Sequence, residues 1–334
     1  MNELVQYAVQ VVAVPAAIGA AVAAPALFGP LRRKAAWIEG CVASGLAAAF
    51  VASFAADPGW IALARQVAAV EGDDGAFERW HRPALAIALL VPAAIVASAW
   101  RARAGPSKGM LPSLGFALLA VIGCGVFVVL PQATTAGQFA QGAFVLASIL
   151  AWGVAATATP WIGWVVFGVL AVLSQESGFA YLAAMSGAVS LSAFLIGILS
   201  AVGGRADRDA LPVRASGALL VVAGTMTALA ARTGMAYGSD AVPGWTWVAA
   251  ALLPCASLVF NGRAARAQTA SRRSFWIWLP VAALGAALLA WTLFAGQILG
   301  GKPGGNPGEG GKSDDISEMY GASAAISPQP LRRT

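Results

Sequence analysis

The stretch GFAYLAAMSGAVSLSAFLIGILSAV, residues 178–202, holds 25 consecutive residues without a charged side chain. A helix needs about 20 mostly apolar residues to cross the ~30 Å hydrocarbon core of a bilayer. This segment is long enough to do so. Lipid offers no partner for backbone N–H and C=O groups, so a spanning segment must satisfy them internally, as a helix does. Strand-like alternation of polar and apolar residues is missing along the chain, which argues against an outer-membrane barrel.

Working outward from 178–202, nine further segments have the same character: 5–30, 36–56, 84–100, 110–130, 138–156, 158–175, 213–232, 244–261 and 275–299. Composition agrees with them. Of the 334 residues 59% are hydrophobic and 11% charged, whereas a soluble domain carries about 25% charged residues. So few charges cannot clothe a water-facing surface. The expected fold is therefore all-α, a polytopic transmembrane helical bundle of about ten spans with little soluble mass. Residues 1–300 form the expected transmembrane domain, with an outer loop at 57–83. Within that loop 60–67 has the composition of a short helix on the membrane surface. Residues 301–334, rich in Gly, Pro and Ser, read as a disordered tail.

The basic residues orient this frame. With the N-terminus outside, the inner connections hold Arg32, Arg33, Lys34; Arg101, Arg103, Lys108; Arg205, Arg208, Arg214; and Arg263, Arg266, Arg272, Arg273, thirteen of the 21. The outer connections hold Arg65, Arg79, Arg82 and Arg232, and the tail holds four. Basic residues gather on the cytoplasmic side, so both termini are expected outside. A bacterial cytoplasmic (inner) membrane is the expected location. The net charge of +6 follows from this loop bias and implies no nucleic-acid partner. Membrane lipids are expected partners, with partner membrane subunits or a homo-oligomer as further ones. Trp60, Trp80, Trp245 and Trp247 fall near outer ends, where indoles favour headgroups. Trp152, Trp164 and Trp291 fall deeper, as packing residues.

Several chemistries are excluded or disfavoured. His81 is the only histidine, so one chain cannot supply two imidazoles to a haem. Nor does it make a His-rich metal site or a convincing Ser-His-Asp set. Lys34, Lys108, Lys302 and Lys312 all lie outside the spans, which disfavours a Schiff base at membrane depth. In the tail, Gly308-Glu309-Gly310-Gly311-Lys312-Ser313 lacks the first glycine of a phosphate loop, where Asn306 stands, and no strand precedes it. Cys41, Cys124 and Cys255 sit in apolar segments without metal-ligand spacing. No catalytic residue, cofactor or metal is therefore expected.

Ionisable residues inside spans are costly and often functional. Glu39 lies about one turn inside the second span, near Arg33 and Lys34. Glu176 lies in Ser174-Gln175-Glu176-Ser177-Gly178, between two apolar segments. Those residues form either a tight outer turn or a helix break at depth, where Glu176, Gln175, Ser174 and Ser177 would make a polar binding cluster. Thr225 and Thr227 read as interhelical hydrogen-bonding groups, and Pro15, Pro25, Pro92 and Pro254 as kinks. Two functional classes follow. One is a transporter or permease of a small solute that uses Glu176 or Glu39. The other is a non-catalytic membrane subunit that scaffolds or assembles a larger complex.

Overall fold

The computed structural model describes residues 3–28, 35–56, 82–104, 110–128, 135–154, 159–203, 218–239, 241–267 and 269–299. Nearly all of them are helical and none is in a strand. Helix α1 comprises Glu3–Ala8, a π turn Val9–Ala13 and Val14–Phe28. Then come α2 (Ala35–Ala56), α3 (Arg82–Ala104), α4 (Met110–Phe127), α5 (Thr135–Val154), α6 (Thr159–Glu176), α7 (Ala180–Gly203) and α8 (Ala218–Tyr237). Helix α9 is Gly244–Leu252 continued by a 3-10 stretch, Leu253–Phe260, and by Asn261–Ala265. Helix α10 is Ala270–Leu299. The surface helix expected at 60–67, His81 and the tail 301–334 lie outside the described residues. Met1–Phe294 form one compact unit and Ala295–Thr334 a second, of which residues 295–299 are described and helical.

Seven helices among the described residues are long and apolar enough to cross a membrane, where the sequence led us to expect ten spans. Two further tracks are apolar but shorter, Leu114–Cys124 in α4 and Pro160–Glu176 in α6. Helix α5 has 20 residues, but Thr135, Gln138 and Gln141 in its first two turns dilute its apolar character. Two boundaries also move. Helix α8 starts at Ala218 and continues past Arg232 to Tyr237, so Arg232 belongs to a span and not to an outer connection. Helix α10 starts at Ala270, which places Arg272 and Arg273 in its first turn. A charge reads locally as a loop, but the α8 helix runs on through Arg232, and at the start of α10 the N–H of Arg272 bonds Thr269 Oγ1 and that of Arg273 bonds Thr269 O.

Two prolines account for two irregular stretches. Pro15 has no N–H to give to the carbonyl of Val11, four residues back. The backbone there takes a π turn, and Ser53 Oγ of α2 donates to Val11 O at 2.6 Å. Pro254 likewise leaves Ala250 O without its usual partner. The N–H of Leu253 bonds that oxygen instead, one residue early, and opens the 3-10 stretch. Membrane helices tolerate proline when such local adjustments satisfy the released groups.

Helix α8 is the axis of the bundle. It packs against α2, α3, α4, α5, α6, α7 and α9, and 83% of its spanning window is buried, against 33% for the windows of α9 and α10. Small residues permit this crowding. A Cβ added at Gly224 would lie 2.6 Å from Ile149 Cα, so the α5 backbone rests directly on that glycine. The Gly153–Leu220 contact shows that α5 and α8 run antiparallel. Trp152, expected as a packing residue, is fully buried and donates to Thr227 Oγ1 at 3.1 Å. Trp247, expected at the interface, is also buried, its ring lying on Gly234. Trp164 and Trp291 are exposed.

The C-terminal end of α4 is closed by another helix. Gln141 of α5 donates to Cys124 O and Val128 O, both at 2.8 Å. Val128 O lies at the helix end, where carbonyls lack intrahelical donors, while Cys124 O also accepts from the N–H of Val128 at 3.3 Å. Gln141→Leu removes both donors from a site that is 2% exposed. Leaving the buried Val128 carbonyl unpaired costs about 1–3 kcal/mol, so thermal unfolding of the purified variant is expected to show a loss in that range. A loss no larger than that of a surface substitution would show that the Val128 carbonyl is otherwise satisfied.

Large apolar side chains cover the outside of the bundle. Leu114, Leu118, Leu119 and Ile122 of α4 and Leu284, Trp291, Leu293 and Phe294 of α10 are all exposed. In water such surfaces aggregate, whereas in lipid they are solvated.

Candidate functional site

The two expected carboxylates lie in opposite surroundings. Glu176 is the last residue of α6 and is exposed, as is Gln175. Ser174 and Ser177 are buried, at 0% and 2% exposure. Their hydroxyls are engaged locally, Ser174 Oγ donating to Leu170 O at 2.6 Å and Ser177 Oγ to Ser174 O at 2.9 Å. Gly178 follows at φ 77°. Its N–H bonds Gln175 O and the N–H of Phe179 bonds Ser174 O, the paired bonds that terminate a helix through a left-handed glycine. Ser239 N then donates to Ser177 O at 2.9 Å, tying the end of α8 to this turn. The arrangement is a stapled hairpin between α6 and α7. It draws two of the four polar side chains inward and leaves the other two facing out.

Gly178 sets the cost of that hairpin. A Cβ there would meet nothing within 4 Å, so only the positive φ opposes it. A left-handed conformation costs an L-residue about 1–2 kcal/mol. Gly178→Ala is expected to lower stability by about that amount in denaturant titration. Gly178→Asn should lose less, because asparagine visits this region more readily.

Glu39 is 2% exposed, and it is the only Asp, Glu, Lys or Arg among the described residues to be so buried. It stands near the start of α2, inside the window Trp37–Ala56. Its neighbours Ile38 and Gly40 are buried too. Gly40 lies against α3, where an added Cβ would sit 2.6 Å from Ser98 Oγ. Ser98 is 3% exposed and Ser44, further along α2, is 4% exposed. Neither hydroxyl has a hydrogen-bond partner among the described residues. Glu39 thus adjoins a close contact of α2 with α3 that also carries a buried hydroxyl. Its expected neighbours Arg33 and Lys34 lie outside the described residues.

The sequence places Arg232 at the close of the span 213–232, whereas the helix runs five residues further, to Tyr237, although the signal for this was present. Residues 233–237, TGMAY, carry no charge and allow the helix to run on. No group of His, Cys, Asp and Glu able to hold a metal occurs among the described residues, and all three cysteines are free.

These features define a class, a helical membrane protein with a buried carboxylate in one helix and a basic residue in its most enclosed one. No protein family, no curated protein and no solved structure matches the chain.

Proposed function

We propose that this protein is a membrane carrier of a small solute in which Glu39 is the ionisable group that couples movement to a proton or cation. The observation that carries the reading is the burial of Glu39 in a spanning helix. A carboxyl group withdrawn from water is expensive to keep, and it can bind and release a proton or cation where hydroxyls cannot. The π turn in α1 and the 3-10 stretch in α9 support the reading, since such interruptions recur where helices hinge or bind. Glu39 is proposed ahead of the Glu176 cluster because the hydroxyls of Ser174 and Ser177 already bond the backbone.

In this reading all ten helical tracks cross a cytoplasmic membrane, with both termini outside and the basic connections facing the cytoplasm. The 18 residues of α4 and of α6 extend about 27 Å at 1.5 Å per residue, close to the thickness of the hydrocarbon core.

The test uses the purified full chain in liposomes that hold a pH-sensitive dye, with a panel of small solutes added outside. Wild type is expected to change internal pH with at least one solute, and Glu39→Gln to keep under about a tenth of that rate. The second reading is a non-catalytic subunit of a larger membrane complex. The scarcity of buried charge favours it, since Glu39 stands alone in that respect among the described residues. Stoichiometric partners on purification, with no solute-dependent flux from the isolated chain, would replace the carrier reading with this one.

A further inference from the structure

We infer that the face of α8 bearing Thr225 and Arg232 binds an oxyanion, a carboxylate or phosphate group, within the bundle. Arg232 lies fourteen residues into α8, about 21 Å along its axis at 1.5 Å per residue. It stands five residues, about 7.5 Å at the same rise, short of the C-terminal end at Tyr237, and so lies within the helix and not beyond it. The side chain is partly buried, and its Nε is closed to solvent without a hydrogen-bond partner. Among the described residues Arg232 makes no ion pair. Glu176, at the turn to which the end of α8 is tied through Ser239, is exposed and does not pair with it.

Thr225 precedes Arg232 by seven residues, two turns, and so lies on the same face of the helix. Side chains on a helix lean toward its N-terminus, which directs the Arg232 stem toward Thr225. Thr225 is fully buried and its hydroxyl has no partner. The other threonines of this helix behave differently. Thr227 and Thr233 donate to the carbonyls four residues back, at 2.6 and 2.7 Å. The unpartnered hydroxyl and the unpartnered guanidinium nitrogen of α8 therefore share one face. A guanidinium has five donors and no acceptor, arranged to match a planar carboxylate or a phosphate. An oxyanion between Arg232 and Thr225 would supply the acceptors that both groups lack and would balance a cation withdrawn from water. Within the carrier reading, which it extends, that oxyanion belongs to the cargo. Binding itself does not depend on that reading.

The experiment follows thermal unfolding of the full chain by tryptophan fluorescence in two arms. In uncharged detergent, inorganic phosphate or acetate at millimolar concentration is expected to raise Tm by about 2–5 °C, as ligands that bind only the folded state do. In nanodiscs, phosphatidylcholine alone is compared with phosphatidylcholine containing phosphatidylglycerol. A rise confined to the second arm identifies the anion as a lipid headgroup. Either rise should vanish in Arg232→Gln and shrink in Thr225→Val. Arg232→Lys keeps the charge but loses the fork, so it should bind about tenfold more weakly. Should Arg232→Gln not fold, the lysine variant carries the test alone. No rise in either arm, or rises in the variants equal to wild type, would overturn the inference. Binding without solute-coupled pH change would remove the carrier reading and leave the site. Flux that survives in Arg232→Gln after binding is lost would keep the carrier and remove the oxyanion from its cargo.

Discussion

Alanine at Gly19 is expected to destabilise the bundle by about 1–3 kcal/mol, the usual cost of forcing extra volume into a packed interior, and leucine there to prevent α1 and α2 from docking. At this crossing the two backbones touch. A Cβ on Gly19 would lie 2.5 Å from Gly45 O, 2.5 Å from Ser192 Oγ and 2.9 Å from Ala49 Cβ. The contact is reciprocal, since a Cβ on Gly45 would lie 2.5 Å from Gly19 O. Backbone cannot turn aside as a flexible side chain can, so α1 would have to move away from both α2 and α7. The gain of about 1 kcal/mol in helix propensity from Gly to Ala offsets only part of this. Gly123 gives the control, because an added Cβ there meets nothing within 4 Å. Gly123→Ala should be neutral or stabilising. The double variant of Gly19 and Gly45 should cost less than the sum of the singles, since one methyl already parts the helices and neighbouring sites are not additive. Denaturant or thermal unfolding measures each of these variants. Equal stability for Gly19→Ala and Gly123→Ala would mean that the two helices do not meet as closely as described.

The second large effect is functional and concerns the charge of Glu39. Glutamine keeps the shape of the side chain and, like the protonated carboxyl, offers both a donor and an acceptor, so Glu39→Gln should fold with stability within about 1 kcal/mol of wild type while solute-coupled pH change falls at least tenfold. Glu39→Asp keeps the charge and withdraws it by one methylene, and intermediate activity is expected. Glu39→Ala removes the carboxylate from whatever it contacts in the interior. Loss of one partner from a buried polar contact costs about 1–3 kcal/mol, more where a charge is involved, so this variant should be the least stable of the three. A split between stability and flux separates a group that moves a proton or cation from one that merely holds helices together. If Glu39→Gln unfolds along with Glu39→Ala, or if it folds and its flux matches wild type, the carrier mechanism built on Glu39 fails.

Much of the fold could be read locally. Each of the ten apolar segments coincides with a helical track, because lipid solvation depends on about twenty consecutive side chains and needs no distant partner. Seven of those tracks meet the length and apolarity of a span within the described residues. The prolines that interrupt α1 and α9 were also visible. Which groups compensate for them was not, since Ser53 reaches Val11 from 42 residues away.

The candidate site divides along the same line. By sequence, Glu39 and Glu176 are the same kind of residue in the same kind of place, a carboxylate near the end of an apolar segment. Arg232 reads as the close of a segment, as arginines near helix ends commonly do. Composition and periodicity alone determined that the chain is helical and suited to lipid, and where its helices run. Only the tertiary structure placed Glu39 in the interior, left Glu176 on a hairpin, and drew Arg232 into the most enclosed helix. The physical reason is that burial is a property of neighbours. Gly40 against Ser98 and Gly224 against Ile149 bring helices together from distant parts of the chain, and that contact sets which charges lose their water.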